Sequence, residues 1–233
     1  MRISRSISTR LNYILDELVP PFIRDFRFFM YPLLWIVVRH KTKAFMDFKE
    51  RALSLSEKEF VAFYEEINEV LVDRLTDLND DCVDEIIKKI IGPQVLEVGC
   101  GRGFLALKLS QIAQVTALDI AISKDLREKN KNIKFFEGSI ERIPFEDQSF
   151  DTVVCTHTLE HVQDIFKSIS ELRRVTKKRL IIVVPRERPY KYTPNLHLHF
   201  FPYKYSLLAV MGPRSKGSFC EELGGDWFYC EDV

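Results

Sequence analysis

The spacing of hydrophobic positions changes just after Gly92-Pro93, and the change divides the chain into regions of different structure. Before this point apolar residues recur three and four apart between Phe60 and Leu71, which predicts a helix with one buried face. Ser56 and Glu59 precede that pattern with the spacing of a capping box, so Ser56 is expected to begin the helix. A second helix is predicted over about 81–91.

Short apolar runs rich in β-branched residues follow, and helical patterns separate them. Strands buried on both faces have continuous apolar runs, and their alternation with helices is typical of a parallel sheet covered on both sides. The predicted strands are Val95–Val98, Val115–Asp119, Ile133–Phe136, Phe150–Cys155 and Leu180–Val184, with helices over about 103–113, 122–130 and 163–176 between them. The sequence therefore predicts an α/β fold with a mostly parallel, doubly wound sheet.

The regions on either side of this sheet pattern have a different character. Pro20-Pro21 interrupts an opening helical pattern, and region 1–93 is expected to be helical. Region 186–233 contains a polar and aromatic loop, a helix predicted over about 203–211, and a single strand candidate, Trp227–Cys230. One strand would leave the edge of the sheet either short or completed by another chain.

The turn after the first strand contains glycines at alternate positions, Gly99, Gly101 and Gly103, and Glu97 precedes them. Glycine lets the backbone approach a ligand closely, and the following helix offers free N–H groups at its start. Twenty residues after the first glycine, the second strand ends in Asp119, whose carboxylate suits the two hydroxyls of a ribose. Together these features predict a site for an adenosine-containing cofactor.

The glycine pattern, E-x-G-x-G-x-G, and several later stretches resemble the class I S-adenosylmethionine (SAM)-dependent methyltransferases, specifically the type 11 group. The later stretches are Glu137–Ile140, Ile143–Asp151, Leu159–Val162 and Arg173–Val175. The resemblance covers about residues 94–185 and implies a Rossmann-like core that binds S-adenosyl-L-methionine. We therefore divide the chain into an N-terminal helical cap (1–93), a SAM-binding core (94–185) and a C-terminal segment (186–233) that forms the acceptor cap and the sheet edge.

The same resemblance implies roles for individual residues around the cofactor. The implied positions are Glu97 and Gly99 at the methionine end, Gly101 in the turn, Asp119 at the ribose, Ile120 and Ile140 at the adenine, and Thr156 near the sulfonium. Ser139 belongs to the same adenine-binding stretch and stands where the family most often has Asp, which would weaken that contact.

Methyl transfer from a sulfonium needs an aligned nucleophile and, for a hydroxyl acceptor, a group that removes a proton. Four of the five histidines follow the fourth and fifth strands, where open α/β sheets bind ligands. We expect the catalytic base among His157, His161, His197 and His199. The (D/N)-P-P-(Y/F) motif of methyltransferases that act on the amino groups of DNA bases is missing after the fourth strand, so no DNA substrate is expected.

The same histidines leave a metal site open as an alternative. His157, Glu160 and His161 would place three ligands on one helical turn, with the 197–199 loop as a source of a fourth. Metal-dependent O-methyltransferases of the small-RNA 3′-end and ubiquinone-pathway types are similar here, with E-x-x-E-H where this chain begins with His157. L-E-H is also common in the type 11 group without a metal, and no metal is the main expectation.

The charges balance overall, with 34 Lys and Arg against 34 Asp and Glu, but their distribution is uneven. Residues 1–43 have eight basic and three acidic side chains, a net charge of +5, and residues 186–216 have six against one, also +5. All eight Tyr and both Trp lie outside 94–185. Basic, aromatic flanks suit a phosphate-bearing or sugar acceptor, and they equally suit an anionic membrane contacted through residues 22–43. A helix that only packs its apolar run on the core would have the same pattern.

The main functional expectation is O-methylation of a saccharide or lipid-linked acceptor. A quinone, lipid or other small molecule is the alternative acceptor, and a catalytically silent SAM-fold subunit is the alternative in a different class. The longest apolar run, Phe28–Val38, is too short to span a bilayer, and the scattered cysteines favour a reducing compartment. We therefore expect a cytoplasmic protein, free or at the inner face of the membrane, with a homodimer as one arrangement.

Overall fold

A computed structural model describes residues 19–68, 75–192, 195–213, 215 and 217–233. The opening helix expected before Pro20 lies outside these residues. The chain forms two compact units, which we call the helical unit (Met1–Arg74 with Glu187–Leu198) and the sheet unit (Leu75–Arg186 with His199–Val233). The finer division at 93 and 186 stays a prediction.

The helical unit contains short helices whose apolar faces form one core. They are α1 (Pro21–Arg24), α2 (Arg27–Val38), a 3₁₀ turn (Arg39–Lys41), α3 (Thr42–Ala52) and α4 (Glu57–Asn68). In α2, Met30, Leu34 and Val38 recur every four residues and are buried against α3 residues that include Phe45 and Phe48. In the part of the chain that the structure describes, no helix is both long and apolar enough to cross a membrane.

The start of α4 confirms one half of the predicted capping box, the return of Glu59 to Ser56, whose hydroxyl donates to Glu59 Oε2 over 2.6 Å. The backbone N–H of Ser56 donates to Glu59 Oε2 over 2.9 Å, and the N–H of Phe60 donates to the Ser56 carbonyl over 2.8 Å. The first N–H groups of a helix have no carbonyl acceptor within the helix, and the Glu59 carboxylate supplies an acceptor for one of them.

The sheet unit is built on a seven-stranded sheet in the order β3-β2-β1-β4-β5-β7-β6. Its strands are β1 (Gln94–Val98), β2 (Gln114–Asp119), β3 (Lys134–Glu137), β4 (Phe150–Thr156), β5 (Thr176–Pro185), β6 (Phe219–Leu223) and β7 (Asp226–Asp232). Its helices are α5 (Asp80–Lys89), α6 (Phe104–Leu109), α7 (Lys124–Lys129), α8 (Ile165–Val175) and α9 (Lys204–Met211), with a 3₁₀ turn at Ile140–Arg142. Strands β1 to β5 are parallel and β7 is antiparallel, which confirms the predicted α/β fold.

Helices cover both faces of this sheet, as the continuous apolar strands predict. Leu180 and Ile182 of β5 belong to the cluster that contains α8 and α9, whereas Ile181 and Val183 belong to the cluster with α5 and α6. Successive strand residues thus enter opposite cores, because side chains alternate along a strand. A strand buried in this way tolerates few polar residues, which explains its unbroken apolar run.

The expectation of a single strand at the C-terminal edge is wrong. Strand β6 pairs with β7 in an antiparallel hairpin, and β7 pairs with β5. Strand β6 has two charged residues among its five, Glu221 and Glu222, which are exposed because the strand is on the edge of the sheet. Gly224-Gly225 between the strands is a two-residue hairpin signal that identifies the pair in retrospect.

Two elements differ in length from their predictions. The helix expected over about 103–113 ends at Leu109, since residues 110–113 form turns before β2. Strand β5 begins at Thr176 rather than Leu180, although the added residues are mostly charged. Pairing on both sides, with β4 and β7, explains how this polar start is held as a strand.

A bidentate ion pair connects α8 to β7. The guanidinium of Arg173 donates to both carboxylate oxygens of Glu231, over 2.6 and 3.0 Å. The Tyr229 hydroxyl also donates to Glu231, over 2.7 Å, and the carboxyl side chain is almost fully buried. Such a pair holds its partners in one orientation, and loss of one partner leaves a buried charge without compensation.

We therefore expect Arg173→Ala to lower the free energy of unfolding by about 3 kcal/mol, because the buried Glu231 carboxylate would lose its cation. Urea unfolding followed by circular dichroism measures this change. Arg186→Ala is the matched control, since Arg186 pairs with Glu222 over 2.8 Å where both side chains are exposed. The control substitution should lower the free energy of unfolding by no more than about 1 kcal/mol. An equal decrease in the two variants would contradict the prediction.

Candidate functional site

The glycine turn lies between β1 and α6, at the carboxyl ends of the parallel strands. Gly99 has a positive φ of 77° and donates its N–H to the Leu118 carbonyl over 2.8 Å. A Cβ at Gly99 would lie 1.9 Å from Thr158 Oγ1, whereas a Cβ at Gly101 would meet no atom within 4 Å. The turn thus packs tightly on the protein at Gly99 and faces open space at Gly101, where a ligand could approach the backbone.

Asp119 ends β2 directly beside this turn. Its carboxylate accepts the Gly101 N–H over 2.7 Å and the Ala121 N–H over 3.3 Å. Burial raises the pKa of Asp119, and these backbone hydrogen bonds offset part of the rise. The side chain is therefore fixed in orientation at the position where the sequence predicts a ribose.

Glu97, in β1, is a buried carboxyl at the same strand ends, with only 2% of its surface exposed. Burial and the nearby charge of Asp119 raise the pKa of Glu97 to about 8, although a hydrogen bond from the Ala106 backbone opposes the rise. Among the described residues, no donor reaches its Oε2. A buried oxygen of this kind needs a partner, and the ammonium group of a bound ligand would supply one.

The predicted adenine-contacting residues lie at the ends of β2 and β3. Ile120 is partly exposed just after Asp119, and Ile140 is largely buried in the core. The Ser139 hydroxyl accepts the Glu141 N–H over 3.2 Å and so caps the 3₁₀ turn that begins at Ile140. Ser139 therefore has a local structural role at the place where the family most often has Asp.

Thr156 is the last residue of β4, and the chain turns sharply after it. His157 has a positive φ of 48° and donates its backbone N–H to the Val183 carbonyl over 2.9 Å. The Thr158 hydroxyl donates to the Thr156 carbonyl over 2.9 Å. These bonds hold the β4 turn beside the glycine turn, since Thr158 Oγ1 is the atom that a Cβ on Gly99 would strike.

The imidazole of His157 lies between two carboxylates. Its Nε2 is 3.3 Å from Asp226 Oδ2, and its Nδ1 is 3.5 Å from Glu160 Oε1. Burial lowers the pKa of His157, but the two carboxylates outweigh it and raise the pKa to about 10. The contact with Asp226 is a hydrogen bond, and together the two carboxylates favour the protonated form of the ring.

Residues 157–161 form a turn, so the expected placement of His157, Glu160 and His161 on one helical turn is wrong. The His161 ring reaches Glu160, with Nε2 at 4.0 Å from Oε1. The helical spacing that suggested the three-ligand set is therefore not present at residues 157–161, and the set itself stays a prediction.

The remaining histidines lie in different units. His199, in the sheet unit, donates its backbone N–H to the Glu160 carbonyl over 3.1 Å, and its Nε2 is 2.9 Å from the Val162 carbonyl. Burial lowers the pKa of His199, with partial compensation from that carbonyl. His197 belongs to the helical unit, where its Nδ1 lies 2.6 Å from Glu187 Oε2.

Sequence reasoning missed two acidic partners of these histidines. Asp226 begins β7 and also accepts a hydrogen bond from Asn79 over 2.9 Å, so it connects the start of α5 to His157. Glu187 accepts a hydrogen bond from the Tyr190 hydroxyl over 2.9 Å in addition to its contact with His197. The hairpin glycines before Asp226 were the available signal, because they indicate a strand that returns to the carboxyl end of β5.

Comparison with known proteins agrees with this geometry. A family model described as a methyltransferase domain matches residues 96–184. A demethylmenaquinone methyltransferase of Chlorobaculum tepidum is 33% identical over 136 residues, which cover 54% of this chain and 54% of that protein. A ubiquinone biosynthesis O-methyltransferase of Albidiferax ferrireducens is 41% identical over 85 residues, which cover 32% of this chain and 33% of that protein. The chain thus spans about half the length of these relatives, or less.

The fold has a counterpart among solved structures. The crystal structure of a SAM dependent methyltransferase from Aquifex aeolicus superimposes with a TM-score of 0.51 at 21% identity, covering 72% of this chain and 97% of that one. That likeness shows the fold, and the family match shows the domain. Residues 96–184 of this chain therefore match a methyltransferase domain, and the relatives of that stretch are named as methyltransferases.

Proposed function

We propose that the chain as a whole is a SAM-dependent methyltransferase that acts on a small molecule. The observation that carries the proposal is the set of groups at the ends of β1 and β2. The turn is open at Gly101, the Asp119 carboxylate is fixed beside it, and the buried Glu97 has an oxygen without a donor among the described residues. The open turn would let SAM approach the backbone closely. Asp119 would bind the ribose hydroxyls of SAM, and Glu97 would bind its ammonium group.

Bound SAM supplies a methyl group that is already activated on a sulfonium, so the protein needs only to position the reactants and accept a proton. Asp119 would orient the ribose, and Glu97 would pair with the ammonium group. Thr156, at the end of β4, would lie beside the reacting methyl group. Because the cofactor cation would stabilise an ionised carboxylate, its binding should lower the raised pKa of Glu97.

For the acceptor, the relatives favour the quinone alternative over the saccharide or lipid-linked expectation. The two proteins described above are named for the methylation of a demethylmenaquinone and for O-methylation in ubiquinone biosynthesis. We infer that the acceptor is a hydroxylated aromatic ring of the quinol class. Such a ring has both a hydroxyl oxygen and an electron-rich ring carbon as nucleophiles, so the class covers O- and C-methylation.

Among the histidines of the sheet unit, the geometry favours His161 and His199 as proton acceptors. His199 donates through Nε2 to the Val162 carbonyl, which leaves Nδ1 as an acceptor in the neutral ring. His161 lies beside the Glu160 carboxylate, which would stabilise the ring after it takes a proton. His157 suits this role less well, because its ring nitrogens lie 3.5 and 3.3 Å from carboxylates that favour the protonated ring, and we assign it to positioning instead.

Asp119→Asn should raise the dissociation constant for SAM about 10- to 100-fold, because hydrogen bonds to a charged acceptor are lost. Isothermal titration calorimetry measures this change. Asp125→Asn is the matched control, since Asp125 is an exposed carboxylate on α7 that pairs with Lys129 over 2.7 Å. The control should bind SAM like the unchanged protein, and equal binding by the Asp119 variant would contradict the assigned role.

Since the pKa of His157 in the folded protein is about 10, above the ordinary 6.5, its ion pairs stabilise the fold fully below about pH 6.5. This stability is lost as the pH rises through about 10. Nitrogen NMR of histidine-labelled protein should show a ring protonated at both nitrogens at pH 8, and His157→Asn should remove that signal. A neutral His157 ring at pH 8 would show that the carboxylates do not hold the proton.

The acceptor is tested with isotopically labelled SAM. We expect methyl transfer to a soluble demethylated quinol analogue and none to glycan or lipid-linked sugar fractions. His161→Gln and His199→Gln, assayed in parallel, identify the base, whose loss should reduce kcat about 10²- to 10⁴-fold. Transfer to the sugar fractions alone would reverse the choice of acceptor. SAM binding without transfer to any fraction would favour a catalytically silent subunit.

A further inference from the structure

One face of α2 is apolar and exposed. Phe28 is 80% exposed and Trp35 is 50% exposed, and Phe29, Tyr31 and Ile36 of the same helix are also at the surface. Phe22 of α1 and Phe26, which precedes α2, extend this surface. We call these seven residues the aromatic face. Large apolar side chains that are contiguous and exposed usually mark a surface that binds another apolar body.

The helix geometry places these α2 side chains on one side. At 100° per residue the exposed positions from Phe28 to Ile36 span about 160° of the helix circumference. Met30, Leu34 and Val38 occupy the opposite side and form the core of the helical unit. Only one side of α2 therefore packs in the core of the helical unit. The apolar side chains of the aromatic face are not needed for that packing.

Positive charge adjoins the aromatic face at the C-terminal end of α2. Asp25 lies between Phe22 and Phe26, but from Phe26 to Lys43 the chain has no Asp or Glu, and it contains Arg27, Arg39, Lys41 and Lys43. The Arg39 guanidinium lies 5.5 Å from the centre of the Trp35 ring, so the charge adjoins the apolar surface directly. Arg27 pairs with Asp47 over 3.1 Å, so we take Arg39 and Lys43, at and just beyond the C-terminal end of α2, as the main source of the positive field.

We propose that the aromatic face is an interfacial anchor that docks on an anionic lipid surface. Exposed aromatic rings with adjacent cations suit the boundary between headgroups and acyl chains, where rings bury apolar area and cations meet lipid phosphates. The helix would lie in the plane of the membrane, because α2 has only 12 residues. Charge complementarity selects this partner over a second copy of the chain, whose identical face has the same positive sign. The inference is independent of the acceptor.

The experiment uses the full chain and vesicles of phosphatidylcholine, with or without phosphatidylglycerol. The chain has two Trp, and Trp227 is only 9% exposed, so a change in emission on binding reports on Trp35. We expect flotation with the anionic vesicles, a shift of the emission to shorter wavelength, and weaker binding as salt rises. Arg39→Gln with Lys43→Gln should reduce partitioning about 30-fold, and Phe28→Ser at least about tenfold.

Phe166→Ser is the matched control, since Phe166 is also a highly exposed ring, 66% against 80% for Phe28, and lies on α8 outside the aromatic face. It should float like the unchanged protein, and thermal unfolding should show that all variants fold. Equal binding to neutral vesicles, or an equal loss in the control, would overturn the proposal. Failure to float, with sedimentation showing dimers that Phe28→Ser dissociates, would assign the face to a second copy instead.

Discussion

The carbonyl of Leu118 accepts two hydrogen bonds on which the arrangement of the site depends. It receives the N–H of Gly99 over 2.8 Å and that of Cys100 over 3.2 Å, and so fixes the glycine turn to the end of the neighbouring strand. This attachment brings the Gly101 N–H within reach of Asp119, which follows Leu118 in the chain. Because β1 and β2 are paired in parallel, the glycine turn after β1 and the Asp119 carboxylate at the end of β2 are held next to each other.

A second constraint closes the site from the side of β4. His157 has a left-handed backbone conformation, and its imidazole joins the end of β4 to Asp226 at the start of β7. Asp226 is also bound by Asn79, the N-cap of α5. A charged ring thus connects a helix start, a hairpin and the loop that would face the cofactor. Such a network holds backbone geometry that would otherwise be strained.

The sequence was sufficient for the sheet, the glycine turn and Asp119, because each depends on local patterns: unbroken apolar runs, alternate glycines and a fixed spacing. It was insufficient for β6, since an exposed edge strand has no apolar periodicity and shows only its hairpin glycines. It also could not distinguish the histidines. His157 lies beside the Asp226 carboxylate, whereas His199 lies beside the Val162 carbonyl, and these partners give the two rings different protonation tendencies. Each partner is distant in sequence from the histidine that it contacts.

Strand β6 determines how the outer edge of the sheet meets its surroundings. An edge strand offers unpaired N–H and C=O groups to any extended segment that approaches it. Glu221 and Glu222 are exposed on this strand, and Arg186 pairs with Glu222 across the edge. An incoming strand would have to bring its backbone against these charges and remove them from water. The edge strand that completes the fold therefore also discourages further growth of the sheet on that side.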